Sequence, residues 1–116
     1  MQRKATRQSR GPDAAEKRHL KWIKERCICA ACGTNGPVVA HHCEGSAFKI
    51  NRVLLGHIFI IGICQSCDNI VTRQSRKEFR EAFGPQSALW FMQLQSYPLK
   101  HEFGEAEIEA IVNYGR

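Results

Sequence analysis

The sequence reads as a small α+β domain stapled by a metal ion, on three observations. Cys29-Ala30-Ala31-Cys32 and Cys64-Gln65-Ser66-Cys67 are two Cys-x-x-Cys pairs within 116 residues. A β-branched apolar stretch, Val53 to Ile63, lies between them, and helical spacing of apolar residues appears before and after it. A chain this short encloses little interior, so a cross-linking ion can supply stability that a larger core would otherwise provide.

The elements follow in order. Residues 1–11 are Arg, Lys, Gln and Ser with almost nothing apolar, and are expected to form a basic flexible arm that orders only on binding. Residues 12–100 are expected to form the zinc-containing domain, and residues 101–116 an acidic C-terminal helix packed on it. Gly11-Pro12-Asp13 signals a helix start with Ala14 to Arg26 as its body, turning Leu20 and Ile23 inward. Cys27 to Pro37 reads as a tight knuckle whose glycines allow backbone amides to approach sulfur. Val38 to His42 is a short strand, and Val53 to Ile63 a second one broken near Gly56. Asp68 to Arg73 reads as the first turn of a helix, Ser75 to Phe83 as another ended by Gly84-Pro85, and Gln86 to Gln95 and Glu105 to Tyr114 as two more. His19 and His101 read as surface residues.

The cysteines need a compartment. The six of them can form a disulfide framework only in an oxidising one, yet Met1 to Arg7 runs into charge with no apolar leader behind it. A cytoplasmic setting is expected, where such pairs are zinc or redox sites. Zinc takes four tetrahedral ligands, and each Cys-x-x-Cys places two sulfurs on one turn, so Cys29, Cys32, Cys64 and Cys67 make a complete structural set. Cys27-Ile28-Cys29 is a competing pair, and Cys43 reads as a small packing residue. The run from Val53 to Ile63 is interrupted by His57 and falls short of the roughly 20 residues of a membrane helix, so no membrane partner is expected.

Charge points to nucleic acid. The net charge is +6, concentrated in the first 26 residues, while the tail after His101 is acidic. A basic arm of this kind neutralises phosphates and releases counterions. Lys49 and Arg52 flank the loop between the strands, and Arg73 and Arg76 follow the second cysteine pair, so these four are candidate DNA contacts. Solvated charge is the plainer reading for Lys77 and Arg80, which stand beside Glu78 and Glu81. Trp22, Trp90 and Phe91 can stack on bases, although Trp90 and Phe91 also suit the core of the C-terminal helices.

His41 and His42 stand between the cysteine pairs. A neutral imidazole titrates near pH 6.5, so His42 can accept a proton from water. Asp68 offers a carboxylate suited to a hard divalent ion, or a cap for the helix after Cys67. His57, inside an apolar run, reads as a hydrogen-bonded core or edge residue.

The order Cys-x-x-Cys, Ala40-His41-His42, apolar strand, Cys-x-x-Cys and helix resembles the zinc-stapled HNH endonucleases over about residues 29–80. Leu55-Gly56-His57-Ile58-Phe59 and Glu78-Phe79-Arg80-Glu81-Ala82-Phe83-Gly84-Pro85-Gln86 extend the likeness to the phage RecA-dependent nuclease, or recombination-enhancement, family. The resemblance implies a treble-clef-like ββα-metal core, with His41 as ligand of a catalytic Mg or Mn ion and His42 as general base. Asn51 would brace that base, with Asn69 and His57 as competitors. Thr72, one turn beyond Asp68, would face the same side. The family usually carries a histidine where this chain has Asp68, a departure that keeps a sound ligand for Mg or Mn but removes a diagnostic residue. The implied activity is a metal-dependent DNA endonuclease or nickase, phage-encoded, acting in the bacterial host cytoplasm, with a RecA filament as partner. The alternative is a non-catalytic zinc-binding DNA-binding module with a degenerate HNH site. A zinc-stabilised adaptor that binds protein through its apolar C-terminal half is a third reading.

Overall fold

A computed structural model describes residues 11–114. Of the arm assigned to residues 1–11, all but Gly11 lies outside the described residues.

Helix α1 (Ala14–Arg26) starts on a reciprocal cap: Glu16 N donates to Asp13 Oδ1 at 2.9 Å, and Asp13 N donates to Glu16 Oε1 at 2.8 Å. Its inner stripe is Ala15, His19 and Ile23, spaced four apart, with Leu20 only half-buried. His19 is therefore not a surface residue. It is 2 % exposed among Trp22, Tyr97 and Phe103, because its place in the helical repeat outweighs its polarity.

After the knuckle, β1 (Val39–His42) pairs antiparallel with β4 (Ile60–Ile63), Val39 opposite Ile63 and His42 opposite Ile60. A smaller hairpin, β2 (Lys49–Ile50) and β3 (Val53–Leu54), projects from the connection. Its two-residue turn holds Asn51 and Arg52 at φ 51 and 69, the left-handed pair that matches the twist of such hairpins. The single broken strand expected over Val53 to Ile63 is thus two strands separated by a turn. Gly56 allows that turn, since a Cβ there would lie 2.3 Å from the Ser46 carbonyl oxygen. Ile58 N and Phe59 N then both donate to Leu55 O at 3.0 Å.

Helix α2 (Gln65–Asn69) begins directly on Cys64, earlier than expected, and continues into a wider π turn over Ile70–Gln74. Ser75 caps α3 (Arg76–Phe83) by accepting from Glu78 N at 2.9 Å, and Gly84, at φ 91, ends it. Helices α4 (Gln86–Gln95) and α5 (Glu105–Tyr114) pack together, and α4 also covers β4. Gln93 performs that covering with its amide: Gly62 N donates to Gln93 Oε1 at 2.8 Å and Gln93 Nε2 donates to Gly62 O at 3.3 Å. The Gly62 N–H is thereby satisfied, while Gly62 O also accepts from Ala30 N of the knuckle at 2.9 Å. The core gathers Ile23, Ile58, Phe59, Ile61, Phe79, Trp90 and Ile111, and Trp90 Nε1 donates to Ile58 O at 2.8 Å. Among the described residues no helix is long and apolar enough to cross a membrane.

Candidate metal centre and active site

The knuckle before β1 and the start of α2 after β4 are brought together because β1 and β4 are paired. Cys29, Cys32, Cys64 and Cys67 consequently converge, with their four Sγ atoms all within 4.8 Å of one another. Cys32 Sγ lies 3.7 Å from Cys64 Sγ. Zinc–sulfur bonds of about 2.3 Å set the edges of a regular tetrahedron at about 3.8 Å, so this spacing suits a zinc ion. The cysteines stand in unlike surroundings. Hydrogen bonding from Thr34, whose Oγ1 is 2.9 Å from Cys32 Sγ, lowers the Cys32 thiol to about 6, whereas burial pushes Cys67 well up. Four neighbouring sulfurs can all be thiolates only around a cation, so the donor set fits a structural zinc. Cys27 stands outside this cluster, half-buried and raised by burial to about 11, and Cys43 is a buried packing residue.

The histidines occupy the end of β1. Strand alternation turns them to opposite sides. His41 Nδ1 lies 3.3 Å from Asp68 Oδ1 on α2, and His41 Nε2 lies 3.1 Å from Gln86 Oε1 at the start of α4. Burial lowers the His41 pKa, opposed by Asp68 and Gln86. The residue whose identity departs from the resemblance is therefore the one that meets His41. Gln86 is a site residue that sequence spacing does not single out. It lies within the quoted Phe83-Gly84-Pro85-Gln86 segment, but nothing in local spacing aims it at β1.

His42 packs edge-on against His57, ring centroids 5.5 Å apart, in the core-side turn before β4. Burial, then the nearby His57 and His41, lower its pKa, and its Nε2 is enclosed without a hydrogen-bond partner among the described residues. His42 and Asp68 thus sit on different sides of β1. Asn51 occupies the exposed tip of the β2–β3 hairpin, where its short side chain suits a left-handed backbone. Thr72 donates its hydroxyl to the Asp68 carbonyl at 2.7 Å, and Gln65 Nε2 donates to Asn69 Oδ1 at 3.0 Å, so both side chains serve the helix itself. Cys64, not Asp68, occupies the capping position of α2.

The candidate DNA contacts are spread along one run of elements. Lys49 and Arg52 lie on the hairpin, and Arg73 is exposed on the π turn. Arg76 is exposed but paired, its Nη1 2.9 Å from Glu44 Oε1. Comparison with known protein families, with curated proteins and with solved structures finds no match to this chain.

Proposed function

We propose that this chain is a metal-dependent DNA endonuclease or nickase of the HNH type, with zinc at Cys29, Cys32, Cys64 and Cys67 and a hydrolytic Mg or Mn ion at His41 and Asp68. The supporting observation is the 3.3 Å approach of His41 Nδ1 to Asp68 Oδ1. With Gln86 Oε1 accepting from Nε2, the Nδ1 lone pair faces a carboxylate oxygen, an arrangement that calls for a proton or a cation between them. Adjacent ligands of an octahedral ion at about 2.1 Å stand about 3.0 Å apart, so the pair fits a hard divalent ion. Such an ion, when bound, polarises a phosphodiester and eases departure of its 3′ oxygen. Asp68 and His41 would hold it and Gln86 would fix the His41 tautomer, while His42, the base that the resemblance implies, would have to turn out of its enclosure beside His57 to take the proton of the attacking water. Lys49, Arg52 and Arg73 would hold the flanking phosphates. The recombination link, phage origin and RecA filament as partner belong to the same proposal and rest on the sequence resemblance.

A second reading has its own observation. His42 is enclosed against His57, away from Asp68, as in a zinc-binding DNA-binding module whose hydrolytic site has degenerated. Supercoiled plasmid incubated with Mg or Mn, with and without RecA-coated single strands, separates the two. The nuclease reading expects nicked or linear DNA from the parent and a loss of about 10²–10⁴-fold in His42→Ala and Asp68→Ala. Plasmid left intact by a parent that binds it tightly would instead establish the module.

A further inference from the structure

We propose that the groove alongside α1 walled by Trp22 is a binding site for single-stranded DNA, separate from His41 and Asp68; this rests on the DNA reading above and adds a strand-holding surface to it. Two cavities, of about 570 and 320 Å³, flank Trp22, and both are also lined by Arg26. The larger has an apolar floor from the zinc knuckle and α4, where Ile28 is 52 % and Met92 71 % exposed. The smaller is lined by Tyr97, Pro98 and Leu99 with Lys21 and Glu25 at its rim. Tyr97 backs the indole at a ring distance of 4.9 Å, so Trp22 is a supported platform. Trp22 and Arg26 are four apart on one helix and present a ring and a guanidinium side by side.

The occupant follows from charge and shape. Arg26 lines both cavities and Lys21 the smaller one, so two cations border the apolar groove, while Lys17 and Lys24 share the outer, exposed face of α1 with Lys21. Arg18 does not add to them, being held by Glu102 at 2.6 Å. A flat apolar face attached to a repeating anion matches this combination, and a nucleobase on its phosphate backbone has both. A second copy of the chain fits poorly, because a two-fold interface across the groove would set Arg26 and Lys21 against their own copies.

The test uses the full zinc-loaded chain without Mg or Mn, titrated with a short oligothymidylate at low salt. The chain has two tryptophans, and Trp90 is 1 % exposed, so quenching of indole emission reads Trp22. Saturable quenching is expected, with binding by labelled-oligonucleotide anisotropy weakened about tenfold or more in Trp22→Ala. Met92→Glu, at an exposed position that folding does not depend on, is expected to weaken it too, whereas His42→Ala should quench as the parent does. Binding without quenching, unchanged affinity in both groove variants, preference for oligouridylate, or a dimer broken by Met92→Glu in place of oligonucleotide binding would each overturn the proposal. Plasmid left intact while quenching persists would count against the nuclease reading alone, and nicking without quenching against the groove alone.

Discussion

His19 shows how position outweighs polarity. Enclosed by Trp22, Tyr97 and Phe103, it is held neutral, burial lowering its pKa from 6.5 to about 4. Unfolded chains therefore bind a proton on this ring that folded ones do not between those two values, so stability is intact above about pH 6.5 and is lost as pH falls toward 4. A shift of this size corresponds to about 3 kcal/mol when fully developed. Urea midpoints measured from pH 7 to 4.5 should fall more steeply for the parent than for His19→Phe, which keeps the aromatic packing without the titration. Parallel profiles would show that His19 contributes no linkage. His41 and His42 follow a related logic, since burial also lowers their pKa and favours the neutral rings that a ligand or a base requires. Alternation along β1 was readable in the residues and implied unlike roles for the pair. Their partners, Gln86 and His57, come from elements joined only by tertiary packing, so sequence spacing could not supply them.

Turns and caps show which local signals survive folding. The Gly11-Pro12-Asp13 start of α1 and the Gly84 stop of α3 were readable because each satisfies backbone groups within a few residues, whereas Ser75, expected as the first residue of α3, proves to be its cap. The stretch from Val53 to Ile63 was readable as broken near Gly56, but Leu54 to Ile63 are all buried, which hides how far the turn at Leu55 to Phe59 extends. Asn51, assigned by resemblance to brace a base, is found at a hairpin tip. Arg52 carries a left-handed φ of 69 beside it, a conformation glycine adopts without steric cost. Arg52→Gly should therefore raise stability by about 1 kcal/mol, read as a higher denaturant midpoint, while lowering the salt dependence of DNA binding if Arg52 meets a phosphate. A lower midpoint would mean that the arginine side chain itself holds the hairpin. Gly56→Ala should act in the other direction. Its Cβ would press on the carbonyl oxygens of Gly45 and Ser46, at 2.5 and 2.3 Å, and the backbone must move at a cost of about 1–3 kcal/mol. Unchanged thermal stability in that variant would contradict the close packing of the two loops.

In the assembled domain the four-cysteine cluster joins parts that lie far apart in the chain. The knuckle is attached to α1 on one side and α2 to the helical half on the other, and the four sulfurs close the loop containing both β1 and the small hairpin. Two Cys-x-x-Cys pairs made this much readable from spacing alone, because the ion demands its ligands regardless of what lies between them. The small apolar interior makes that closure matter, and the position of Asp68, directly after Cys67, depends on it. Metal content and circular dichroism, followed together as a strong chelator is added to the purified chain, examine this dependence. One zinc per chain is expected, with helical signal and near-ultraviolet fine structure lost in step with its removal, and Cys32→Ser is expected to be deficient in both zinc and folding. A chain that contains no zinc as purified, or keeps its full spectrum after the zinc is stripped, would contradict the proposed role of the four sulfurs and leave His41 and Asp68 without a zinc-held frame.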